Sequence, residues 1–96
     1  MRVAWSPLAL AHLSEIRRYI AQDSPLAAGR LAARIVEAVD RLERHPRLGR
    51  PARAAGTREL AVPGTPFVAA YAIFDDRVQV LAVLHGARQW QIPDPE

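Results

Sequence analysis

From residue 7 onward the apolar positions recur at helical spacing: Ala9, Leu13, Ile16 and Ile20, with Glu15, Arg17 and Arg18 between them. A period of three to four residues predicts an amphipathic helix with one buried stripe. Ser6-Pro7 supplies its start. The hydroxyl can cap the free N–H groups of the first turn, and a proline at the first helical position gives up no hydrogen bond. Ser24-Pro25 repeats that signal after a short break at Gln22-Asp23. A second stripe follows in Ala28, Leu31, Ile35, Ala38 and Leu42, with Arg30, Arg34, Glu37 and Arg41 on the outer side. The residue before a proline avoids helical backbone, so Pro46 ends this segment. So short a break between the two helices predicts an antiparallel helical hairpin.

Elsewhere the pattern has strand character. RVAW (2–5) precedes the first helix, and RELAV (58–62), FVAAYAIF (67–74) and VQVLAVL (78–84) follow the second. Val, Ile, Phe and Tyr dominate these runs, and turn residues bound them: PGTP (63–66) and the pair Asp75-Asp76. The last two runs are nearly continuous in hydrophobicity, which predicts a hairpin of central strands. Residues 46–57, with two Pro, two Gly and three Arg, read as a loop. The order β-α-α-β-β-β predicts an α+β sandwich, a helical hairpin on one face of a small, mostly antiparallel sheet. Ninety-six residues suffice for one such domain, assigned to 1–90, with a short Pro-containing tail at 91–96.

Charge sharpens the picture. The net charge is +3, the chain contains 13 basic residues, and all of them are Arg. Five lie in the acid-free stretch RHPRLGRPARAAGTR, from Arg44 to Arg58. Guanidinium forks recognise carboxylates and phosphates, so this loop suggests an anionic partner, nucleic acid or an acidic protein segment. The absence of cysteine excludes disulfides and thiolate metal sites. The start MRVAWSPLAL does not read as a secretory signal, and no apolar run is long enough for a membrane span, so a cytoplasmic protein is expected.

Candidate chemistry is sparse. His12, His45 and His85 are scattered without metal-ligand spacing, so neither metal nor cofactor is expected. Ser6 and Ser24 serve as caps, and no phosphate-cradling glycine loop is present. What remains is the stretch VLAVLHGARQW (80–90), where an apolar strand ends in His85, Arg88 and Trp90, together with Arg58. RNA cleavage by 2′-hydroxyl attack needs a proton acceptor, a donor and a cation, which His85 with Arg58 and Arg88 would supply in part. Tyr71 fills the missing proton-transfer role only if it faces the same side.

The helix end LERHPRLGRP, the strand REL followed by PGTPFVAAY, and LHGARQW resemble, in order and spacing, the ParE branch of the ParE/RelE toxin superfamily. The resemblance covers residues 5–90 and implies the same β-α-α-β-β-β fold. It implies a bacterial type II toxin, neutralised in a hetero-oligomer by a small ParD-like antitoxin, with DNA contact only through that complex. ParE-like toxins are associated with blocking DNA gyrase, and RelE-like relatives with cleaving mRNA on the ribosome. RNA-cleaving relatives commonly carry a basic side chain on the third strand. Here that strand is FVAAYAIF, without one, and Gly86 follows His85. The expectation is therefore a gyrase-directed inhibitor with Arg58, His85, Arg88 and Trp90 in a target-binding site. The alternative is an mRNA endonuclease built on His85, Arg58 and Arg88.

Overall fold

A computed structural model describes residues 1–86 of the chain. Strand β1 (Arg2–Trp5) leads into helix α1 (Pro7–Ala21) and helix α2 (Pro25–Asp40), which a 3₁₀ turn (Arg41–Glu43) extends. Four strands follow: β2 (Arg50–Pro51), β3 (Thr57–Ala61), β4 (Phe67–Ile73) and β5 (Arg77–His85). Both helix starts are capped as the Ser-Pro pairs predict: Ser6 Oγ accepts the Ala9 N–H at 3.0 Å, and Ser24 Oγ accepts the Ala27 N–H at 3.1 Å. The α-helix gives way to the tighter turn before Pro46 is reached. The segment read as loop contains β2, two residues too short and too rich in Arg and Pro to carry a strand pattern.

The sheet has the order β1-β5-β4-β3-β2. β1 runs parallel to β5 and every other pairing is antiparallel, so the apolar β4 and β5 are central, as their hydrophobicity requires. The helical hairpin covers one face. Ala9, Ile35, Val39 and Leu42 meet Leu60, Ala69, Tyr71, Val80 and Val83 there in one core, with Trp5 packed against it. Val68, Ala70, Ala82 and Leu84 form a smaller cluster on the opposite face.

Where β1 ends, the rim of β5 would be left with unpaired backbone groups, which are costly once removed from water. The start of α1 satisfies them. The Ser6 N–H donates to the Val80 carbonyl at 2.9 Å, and Ser6 Oγ donates to the Leu81 carbonyl at 3.1 Å. The Val83 N–H donates to His12 Nδ1 at 3.2 Å. Opposite, the β4–β5 register shifts between Ala70 and Tyr71 and passes over Leu81. The start of α1 is thus stitched to the bulged strand at Val80, Leu81 and Val83.

Candidate functional site

The acid-free arginine loop is held by two side chains of the sheet beneath it. Tyr71 is fully buried in β4; its hydroxyl donates to the Pro46 carbonyl at 2.7 Å and accepts the Gly49 N–H at 2.9 Å. Arg58, half-buried on β3 and opposite Tyr71, donates from Nε to the Gly49 carbonyl at 2.9 Å and from Nη2 to the Arg47 carbonyl at 3.3 Å. Both polar groups of Gly49 are therefore gripped. A side chain there has no room, since a Cβ would lie 2.6 Å from the Glu59 carbonyl oxygen and 2.7 Å from Tyr71 Oη. HPRLGRP, Arg58 and Tyr71 thus form one clamp that shapes the loop. Arg44, Arg47, Arg50 and Arg53 remain exposed on it, Arg50 paired with Glu59 at 3.6 Å.

His85 stands elsewhere. It ends β5 opposite Phe67, half-buried, with the two rings edge to face at 5.8 Å. Arg58 lies opposite Tyr71 and His85 opposite Phe67, so the two are four positions apart along β4 and two strands apart across the sheet. With about 3.3 Å per residue and about 4.8 Å per strand, that is roughly 16 Å. The structure does not bring Arg58 and His85 together. Tyr71, its hydroxyl committed to the clamp, belongs to the Arg58 end. Arg88 and Trp90, the other two predicted site residues, lie outside the described residues.

Beside His85, α1 contributes to a groove. A groove of about 360 Å³ is lined by His12, Glu15, Tyr19, Phe67 and His85, over a floor that includes Ile16. His12 takes the Val83 N–H on Nδ1, which places the proton of the neutral ring on Nε2. Glu15 is ion-paired with Arg18 at 3.2 Å. Sequence reading missed this role of α1. The signal was His12 itself, a polar residue on the buried stripe between Ala9 and Ile16 that needed a partner.

A second groove, of about 480 Å³, lies on the other side of the domain, between the end of α2 and the edge of β3. Ala38, Leu60 and Pro63 line it, with Arg41, Arg50 and Glu59 at the rim. Leu48, 51% exposed, also borders it. Among the described residues no three His, Asp or Glu side chains are grouped to hold a metal ion. No helix among them is long and apolar enough to cross a membrane.

The sequence model of the ParE toxin of the type II toxin-antitoxin system parDE matches residues 3–90, which include both grooves and the clamp. The Sinorhizobium fredii (strain NBRC 101917 / NGR234) protein Y4kP is 45% identical over 89 residues, 93% of this chain and 92% of that protein. Toxin RelE2 of Caulobacter vibrioides is 42% identical over 87 residues, 91% of this chain and 97% of its own length. A solved chromosomal ParDE TA system from P. aeruginosa contains a chain of the same fold, with a TM-score of 0.78 and 29% identity. The match covers 86% of this chain and 92% of that one.

Proposed function

The chain belongs to the ParE toxin family of type II toxin-antitoxin systems, and from that premise we propose that it acts in the cytoplasm by binding DNA gyrase. In this reading a ParD-like antitoxin holds it inactive, and it reaches DNA only as part of that complex. The observation that carries the gyrase reading is the separation of Arg58 from His85. Cleavage of a phosphodiester needs an acid, a base and a cation around one phosphorus, within hydrogen-bond reach of the reacting atoms. Arg58 instead spends its donors on the carbonyls of Gly49 and Arg47, roughly 16 Å from His85. A surface of exposed arginines and shallow grooves suits recognition of a protein target better than chemistry on RNA.

Two assays run side by side test this: gyrase supercoiling, and ribosome-dependent mRNA cleavage, each with wild type and His85→Ala. The expected result is inhibited supercoiling and no transcript cutting by either protein. Transcript cuts that fall about 10²-fold in His85→Ala, the usual loss for a general acid or base, would overturn it in favour of an endonuclease.

A further inference from the structure

The face of the sheet opposite the helices is buried, although both helices lie on the other side. Ala70 and Ala82 are paired across β4 and β5 on that face. Both are 0% exposed in the single chain, with Leu84 beside them at 6%. Helix residues such as Ile35 and Val39 pack instead with Leu60, Ala69, Tyr71 and Val83. An antiparallel sheet covered on one side leaves its other side in water, so a second cover is required. Gly86 marks where the chain leaves β5. Its N–H donates to the Pro66 carbonyl at 2.7 Å, which continues the pairing with β4. It follows His85, which lines the groove beside α1, so its own side-chain position points to the opposite face. A Cβ there would lie 3.5 Å from Val68 Cγ1, which packs on the Ala70 cluster. The residues that follow, ARQWQIPDPE (87–96), lie outside the described ones.

We propose that this face is the docking site of the chain's own residues 87–96, with Trp90 seated on Ala70 and Ala82. Burial selects the occupant first. The two alanines are covered in the single chain, so neither a second copy nor a partner protein is needed to cover them. Reach agrees. Gly86 stands as far in sequence from Ala82 as from Trp90, roughly 13 Å each way at about 3.3 Å per residue, so a chain that doubles back brings the indole to the alanines. Alanine side chains keep that part of the sheet low, which leaves room for a ring that buries about 150–250 Å². Charge agrees at the other end. Arg2 and Arg77 alternate with Val3 and Val78 of the helix-covered core, so they stand on the docking face, roughly 30 Å from Gly86. Asp94 and Glu96, the only acids after Asp76, fall at that distance along the returning segment. Pro93 and Pro95 have no N–H, which suits a segment that lies across a face and does not extend the sheet. Trp90 in this arrangement seals the fold and is not the target contact expected from the sequence.

The test is nuclear magnetic resonance on the full, isotopically labelled chain. The expected result is a set of nuclear Overhauser contacts between the Trp90 indole and the methyl groups of Ala70 and Ala82. Trp5 serves as the internal control, because it packs against the helix-covered core and should show none to these methyls. A folded chain without the Trp90 contacts would overturn the proposal. Contacts found only between differently labelled copies would overturn it too, by giving the face to a second molecule. Urea unfolding supplies the second measurement. Trp90→Ala should lower the folding equilibrium constant at least about 100-fold, the usual scale for losing a buried aromatic ring. If that variant does not fold, Trp90→Phe keeps a ring on the alanines and should fold with an intermediate constant. A fold indifferent to Trp90→Ala would show that the indole seals nothing. Neither measurement involves a target or an antitoxin, so the proposal stands or falls separately from the gyrase reading.

Discussion

Replacing Tyr71 with phenylalanine removes one oxygen and keeps the ring, so the packing of β4 stays the same and only the clamp is changed. The hydroxyl makes two hydrogen bonds, to the Pro46 carbonyl at 2.7 Å and from the Gly49 N–H at 2.9 Å. Gly49 is buried, so its N–H is left without water or partner, at a cost of about 1–3 kcal/mol. Pro46 is only half-buried, and its carbonyl recovers part of the loss from solvent. The sum is about 2–3 kcal/mol. For a domain of this size each kcal/mol moves the melting temperature by about 4–8 °C, so Tyr71→Phe is expected to melt about 10–20 °C below wild type. Thermal unfolding followed by circular dichroism measures this directly, and urea titration supplies the free energy. A variant within about 0.5 kcal/mol of wild type would refute the reasoning, because it would show that the loop holds its shape without the phenol.

Arg58→Ala should cost about 1–2 kcal/mol, since the guanidinium is half-exposed but donates to two loop carbonyls. Combined with Tyr71→Phe, the loss should fall short of the sum by at least about 0.5 kcal/mol, as for two residues that hold one glycine; strict additivity in urea titrations would separate them. His12→Ala removes the acceptor of the Val83 N–H and should destabilise by about 1–2 kcal/mol, with faster amide hydrogen exchange confined to the end of β5. Asp76 is held below its ordinary pKa, chiefly by the hydrogen bond from Arg77; desolvation opposes this, and the charges of Arg77 and Arg2 add to it. A depressed carboxylate stabilises the fold above its unfolded value, and that contribution disappears as pH falls through the folded one. Asp76→Asn should therefore be slightly less stable at neutral pH and converge with wild type in acid; parallel stability curves down to acid would exclude the pairing.

The regular parts of the fold were legible because their signals are local. Ser6-Pro7 and Ser24-Pro25 mark helix starts, and the stripe from Ala28 to Leu42 marks a buried face; both depend only on residues within a few turns. β2 was not legible, because Arg50 and Pro51 have no strand propensity and pair only where β3 presents an edge. The register shift at Leu81 was equally hidden, as the groups that meet the bulged strand there, Ser6 and His12, come from far along the chain. In the site, the arginine cluster was visible as composition, but the special role of Arg58 was not. A guanidinium that serves loop carbonyls and one that awaits a partner look alike in sequence. Tyr71 carried a usable hint, since a phenol in the middle of an apolar central strand must find a bond for its hydroxyl.

The parallel pairing of β1 with β5 has a consequence for when the protein comes into being. Residues 2–5 are synthesised long before residues 77–80, their only strand partner among the described residues. β4 likewise lacks one of its two neighbours until β5 exists. A nascent chain, or a fragment ended by a premature stop before residue 77, holds the helical hairpin but cannot close the sheet on which it packs. Long-range pairing of this kind postpones the cooperative step until β5 has been made. Activity is thereby tied to synthesis of β5, and a product cut short before it is expected to be harmless and readily degraded.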